Sequence, residues 1–266
     1  YNINANNHTL VLIWLIGILP VIYVFNSVPI AALASLLLYV WIGLYTFRNI
    51  MFYEAEKDLF SLPVLFLISG IMLFGIGALH YFKKELYSIA RVYRLAGIKV
   101  MLISLFLLTF NFYSGKPGGF FSRGNELASS QFTFALVLFS IIAIILMVID
   151  LFFLQEKILT SVFEAVISFI LLAVALIFFF FPPVNNIYVI LFNLVLAGVI
   201  AALIFVGYHK EDMSLVNTGL FWLAVFIVVK YFDFFWDLLD RSIFFMGGGL
   251  ILVLGGIALE RKRREI

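Results

Sequence analysis

The 266-residue chain contains no cysteine. Disulfide frameworks, thiol nucleophiles, iron–sulfur ligation and most structural zinc sites are excluded together. Histidine is nearly as scarce, at three residues, so imidazole-based metal chemistry has little to draw on. Charge is thin as well. Asp, Glu, Lys and Arg make up 12% of the chain, about half of the ~25% usual in a soluble domain. Such a chain cannot coat a globule of its size with polar groups, and it offers no basic face for nucleic acid. What it holds instead is hydrocarbon: 65% hydrophobic residues, 18% aromatic, and a mean hydropathy of +1.16. The class that remains is an all-α integral membrane protein, with membrane lipids as its first expected partner.

A helix needs roughly 20 apolar residues to cross ~30 Å of hydrocarbon. Its backbone polar groups must also be satisfied within the segment, which favours helices over open strands. Apolar stretches between charge and turn clusters give about nine candidate spans, in a single helical domain over residues 1–266. They cover 9–25, 28–47, 59–82, 98–113, 132–154, 160–181, 187–208, 218–236 and 242–259. Pro29 marks a tight turn between the first two, where only Asn26 and Ser27 intervene.

Orientation follows from the basic residues. With the amino terminus outside, one face collects Lys83, Lys84, Arg91, Arg94, Lys99, Lys157, Lys210 and Arg261, Lys262, Arg263 and Arg264. The opposite face holds Arg48, Lys57, Lys116, Arg123 and Arg241, and Lys230 falls inside a span. The positive-inside rule makes the richer face cytoplasmic, so the carboxy terminus is expected inside. An odd number of spans is needed for this assignment.

Residues 83–97 read as a basic amphipathic cytoplasmic segment. Leu86, Ile89, Ala90, Tyr93 and Ala96 recur at helical spacing, while Lys83, Lys84, Arg91 and Arg94 supply charge. One reading is a linker at the headgroups, with those four basic residues contacting anionic lipid. The other is a docking site for a partner. On the outer face, the Gly-rich loop at about 115–131 is either a connector or a lid. Gly70 and Gly77, seven residues apart, share one helix face and mark close helix packing, as do Gly248 with Gly255 and Gly249 with Gly256.

The densest polar feature is Lys230-Tyr-Phe-Asp233-Phe-Phe-Trp-Asp237-Leu-Leu-Asp240-Arg241. At helical spacing its charges fall on one side and its rings fill the rest. Lys230, 12 residues past Thr218, lies roughly 18 Å into the span. Intramembrane charges are costly and are usually paired or turned to a wet cavity. Lys230, Asp233, Asp237, Asp240 and Arg241 therefore form either an outward ligand-binding pocket or an anchor, with Lys230 neutralised by Asp233 beneath a lipid-facing aromatic belt. Asp233 and Asp237 also have the spacing of the Mg²⁺-binding carboxylates of intramembrane prenyltransferases. Those enzymes carry two such motifs on the cytoplasmic side; here there is one, on the outer side, and the enzyme reading is set aside. Asp150 and Glu164 are expected to pair with Lys157 at the interface, with a proton relay as the alternative. Asn111 and Asn193 suit interhelical hydrogen bonds. No metal site and no cofactor is expected.

The last two spans carry Asn217-Thr-Gly-Leu-Phe, Lys230-Tyr-Phe-Asp233, Asp240-Arg241-Ser242, Gly247 to Gly249 and Leu259-Glu260-Arg261-Lys-Arg-Arg264. Over about 50 residues this resembles the carboxy-terminal end of bacterial integral membrane proteins of domain-of-unknown-function family 2157. The resemblance implies a bacterial cytoplasmic membrane and no established activity. Chains of that family begin with a cytoplasmic segment, so the outward amino terminus here implies a missing leading segment, with a further helix. Two functions compete: a non-enzymatic protein that binds or moves a small solute, ion or lipid, and a structural subunit holding other membrane-protein subunits together.

Overall fold

A computed structural model describes residues 7–53, 56–110, 130–153, 158–181, 187–235, 246–250 and 253. Among these residues the chain is helical, with no strand. Eight α-helices follow in order: α1 (Asn7–Phe25), α2 (Val28–Tyr53), α3 (Glu56–Leu79), α4 (Tyr87–Leu108), α5 (Ser130–Phe153), α6 (Ile158–Phe180), α7 (Ile187–His209) and α8 (Met213–Phe235). Two 3₁₀ turns, His80–Phe82 and Lys84–Leu86, link α3 to α4. Seven of the eight are long and apolar enough to cross a membrane, which is the build of a multi-pass membrane protein. The exception is α4, which carries Arg91, Arg94 and Lys99. Most of the ninth expected span, and the acidic and basic residues that follow Phe235, lie outside the described residues.

The helices run up and down, so the molecule has two ends. One carries the turn at Asn26–Ser27, the 3₁₀ turns and the α7–α8 turn; it is called the near end here. The far end carries the carboxy-terminal ends of α4 and α8. Short connections make α1–α2, α3–α4 and α7–α8 antiparallel neighbours, and α3 also packs on α5. Burial separates the centre from the periphery. Inside α3, 78% of the apolar stretch is covered, against 11% in α1 and in α8. The main core joins Leu67, Ile68 and Ile71 of α3 to Leu102 and Leu105 of α4 and to Phe178 and Phe192. A smaller cluster around Ile22, Ala31, Ile89 and Tyr93 holds α1 and α2 against the start of α4.

The α3–α4 seam is closed by missing side chains. A Cβ on Gly97 would come within 2.7 Å of the Gly70 carbonyl oxygen and 2.8 Å of the Phe74 amide nitrogen. One on Gly77 would meet the Arg94 stem at 2.6 Å and the Ala90 carbonyl at 2.9 Å. The expected glycine face of the third span is thus a contact with α4, where backbones approach as small residues permit. Residues 83–97 are not a separate surface helix. From Tyr87 onward they form the first half of α4, whose buried stripe of Ile89, Ala90, Tyr93, Gly97 and Ile98 continues into Met101 and Leu102.

Candidate functional site

Each end of the bundle holds one polar cluster. At the far end, α4 finishes at Leu108 with Thr109 as its cap. The last carbonyls of a helix have no partner within it and carry a partial negative charge. Lys230 answers this: its Nζ donates to the Thr109 carbonyl at 2.9 Å and to Asp233 Oδ2 at 3.0 Å. The ammonium also stands 4.3 Å from the centre of the Phe110 ring, a cation–π distance. Asn193 donates to the same carbonyl at 3.2 Å and to Val189 at 2.7 Å, the interhelical use expected of it. The cluster thus ties α4, α7 and α8 together.

The start expected of the eighth span needs correction. The eighth helix starts at Met213 rather than near Thr218, because Asp212 caps it: Ser214 N–H donates to Asp212 Oδ1 at 3.0 Å. Lys230 lies in the far half of α8, five residues before Phe235. Asp233 is partly open, its side chain 37% exposed. Asp237, Asp240, Arg241 and Asn111 lie outside the described residues.

The near end holds the cluster that sequence reasoning did not assemble. Arg94 Nη2 donates to Glu164 Oε2, and Lys210 Nζ donates to Glu164 Oε1 at 2.7 Å. All three side chains are largely covered, at 15%, 22% and 11% exposure for Arg94, Lys210 and Glu164. The Arg94 guanidinium also stacks 4.4 Å from the centre of the Phe74 ring. Asp150, near the end of α5, is buried beside them and feels the charges of Arg94, Glu164 and Lys210. Three charged groups, from α4, α6 and the α7–α8 turn, thus meet. Burial holds the Lys210 ammonium below its usual titration range, against the opposing pull of Glu164.

One expectation is corrected here. Arg94 was placed among the headgroup contacts, yet it points into the bundle and meets Glu164. Glu164 receives Arg94 and Lys210, while Lys157, the partner expected for Glu164 and Asp150, lies outside the described residues. The other three basic residues of that segment, Lys83, Lys84 and Arg91, are exposed. Arg91 also donates to Asp212 at 2.5 Å, across to the α8 cap. A signal for Arg94 was present: it shares a helical face with Ala90, Gly97 and Met101, a stripe of small and apolar residues that a helix turns toward a neighbour.

The histidines are occupied locally. His80 Nδ1 donates to the Ile76 carbonyl at 2.7 Å, which leaves Nε2 to accept from the Tyr23 hydroxyl at 2.9 Å. His209 donates to the Phe205 carbonyl at 3.0 Å. Among the described residues no group of three or more His, Asp or Glu could hold a metal ion. No family model, curated protein or solved structure matches the chain.

Proposed function

We propose that this is a non-enzymatic multi-pass protein of the bacterial cytoplasmic membrane that binds or moves a small ionic solute, with Arg94, Glu164 and Lys210 as its polar centre. One observation carries the reading. Charged groups from three separate elements meet in the covered interior of the near end, where each alone is costly and where such residues mark substrate or ion paths. Lys83, Lys84 and Arg91 are exposed around the same end. The positive-inside rule then faces it to the cytoplasm, with the amino terminus outside and headgroups as partners of Lys83 and Lys84. The resemblance of the last two spans to family 2157 agrees with that membrane. The Lys230–Asp233 pair reads better as the anchor of α4, since the donors of Lys230 are directed at Thr109 and Asp233.

A ligand that binds only the folded state raises its melting temperature by mass action. Thermal-shift screening of alkali and divalent cations, small carboxylates, amines and amino acids should find a solute whose shift disappears in the charge-balanced double variant Arg94→Gln/Glu164→Gln. A shift that survives there but is lost in Asp233→Asn would move the site to the far end. A shift equal in all three proteins would remove both clusters from consideration.

A further inference from the structure

Most basic residues of the bundle have an acid. Arg91 reaches Asp212, Arg94 and Lys210 reach Glu164, and Lys230 reaches Asp233. Lys83 and Lys84 stand exposed at the near-end turns. Lys99 is different: it is exposed, it sits inside a helix, and among the described residues no carboxylate, carbonyl or ring takes up its ammonium. Its level follows from the glycine seam. A Cβ on Gly77 would meet Ala90 and Arg94, and one on Gly70 would meet Gly97 and Met101. Residues Tyr87 to Leu108 of α4 thus run antiparallel beside the apolar stretch of α3 from Ser61 to Phe82, and Lys99 stands level with Gly70, near its middle. By helical rise Lys99 is about 18 Å from Tyr87 and about 13.5 Å from Leu108. A lysine stem is too short to carry its charge over either distance, so snorkelling does not bring it to the headgroups.

The side of α4 that bears Lys99 is open. Gly97 and Met101 turn to α3, Ile89 and Tyr93 to α1 and α2, and the Phe106 ring to Trp222 of α8, with 5.8 Å between ring centres. Lys99 lies about 200° around the helix from Gly97, on the side that remains. Ile103 and Leu107, one and two turns on, are exposed as well. Arg94 points to another side of α4, so this strip is separate from the near-end cluster and neither needs the other.

We propose that this strip receives a transmembrane helix of another protein, one that carries a single Asp or Glu near its middle, and that Lys99 is the residue that recognises it. Charge selects the occupant. A lone lysine and a lone acid at the middle of a span are each costly in lipid, and pairing relieves both. A wholly apolar helix would leave the ammonium as costly as before. A second copy of this chain does not supply the acid, since among the described residues Asp150, Glu164 and Asp212 belong to the near end and Asp233 to the far end. Lipid phosphates lie at the bilayer surface, beyond the reach of the stem. Ile103 and Leu107 give the partner helix apolar surface to pack on beside the ion pair.

The probe is a synthetic Leu–Ala transmembrane helix of about 20 residues with one central Asp, compared with its Asn counterpart. Each is reconstituted in phosphatidylcholine vesicles with the full chain, labelled for energy transfer at one introduced cysteine away from α4. The Asp helix should associate about tenfold more tightly than the Asn helix, the size of one polar contact between helices in lipid. That advantage should vanish in Lys99→Gln, persist in Lys99→Arg, and pass to a helix with a central Lys in Lys99→Glu. Equal association of the Asp and Asn helices with the native chain would overturn the proposal, as would an advantage that survives Lys99→Gln. Self-association of the chain that is lost in Lys99→Gln would assign the strip to a second copy and overturn it. Lys99-dependent enrichment of brominated phosphatidylglycerol, with no preference between the helices, would assign it to anionic lipid with the same consequence. The melting temperature of Lys99→Gln should match that of the native chain; a lowered one would reveal a partner within the chain and also overturn the proposal.

Discussion

The two polar clusters stand roughly 22 Å apart along α4, from Arg94 to Thr109, and they solve the cost of charge in opposite ways. At the far end a single cation, Lys230, is spent on a helix terminus: a backbone carbonyl and one neighbouring carboxylate take it up, and the partner Asp233 is partly open. That geometry is complete in itself. At the near end two cations, Arg94 and Lys210, share one acid, each on its own carboxylate oxygen of Glu164. The arrangement there leaves one carboxylate to balance two covered cations. The difference teaches that a buried charge is not by itself a functional mark; what matters is whether its partners use it up.

The sharpest test of that contrast is Glu164→Gln. Removing the shared acceptor strands two covered cations, and breaking a buried pair typically costs about 3–5 kcal/mol. Denaturant unfolding in one detergent should show a loss of that order, and a loss below that from Lys230→Met would reverse the ranking of the two ends. Next is Gly77→Ala, which forces a methyl group against the Arg94 stem and the Ala90 carbonyl. Overpacking of this kind costs about 1–3 kcal/mol. It should also weaken the coupling between Arg94 and Glu164 in a double-mutant cycle, since the guanidinium has to move.

At the far end, Lys230→Met should cost about 1.5 kcal/mol, the low side of the range for hydrogen bonds to charged groups. Asn193 still donates to the Thr109 carbonyl after the change, which limits the loss. Asp233→Asn should cost less, under about 1 kcal/mol, because a partly exposed ion pair is screened. Equal losses from the two substitutions would mean that Lys230 acts through Asp233 and not through the end of α4. The smallest effect expected is a pH dependence. The folded chain holds the Lys210 proton less tightly than the unfolded chain, whose lysine titrates near 10.5. In the window just below that value the unfolded state binds more protons, so stability rises with pH there. The stability of the native chain relative to Lys210→Met should therefore increase on approach to pH 10.5; a flat or falling difference would contradict the burial of Lys210.

Much of the architecture was legible because the signal for a membrane helix is strong and local. The apolar runs at 132–154 and 187–208 match α5 and α7 to within two residues at each end. Gly70 and Gly77 pointed to a close helix contact, and the seam with α4 provides it. The boundary between surface segment and fourth span was misplaced, since Arg91, Arg94 and Lys99 depress hydropathy across a helix that is continuous from Tyr87 to Leu108. Hydropathy averages a charge over all faces and so cannot tell Arg91, which is exposed, from Arg94, which is not. The start of α8 was read five residues late because Asp212 and Ser214 look like loop until they are seen to cap.

The sequence alone settled the class of the molecule, because the cost of leaving so much apolar surface in water and the need to satisfy each backbone amide within lipid are both properties of composition and length. It also placed the helices, since a run of apolar residues is a one-dimensional quantity. Which charges meet was decided only in three dimensions. Arg94 and Glu164 are 70 positions apart, Lys210 lies 46 beyond Glu164, and Lys230 is 121 from the carbonyl it caps. Coulomb interaction and hydrogen bonding act over a few ångströms, and the distance along the chain says nothing about the distance through a bundle. The packing of α3 on α4 through glycine fixes where Arg94 stands, and so which acid it can reach.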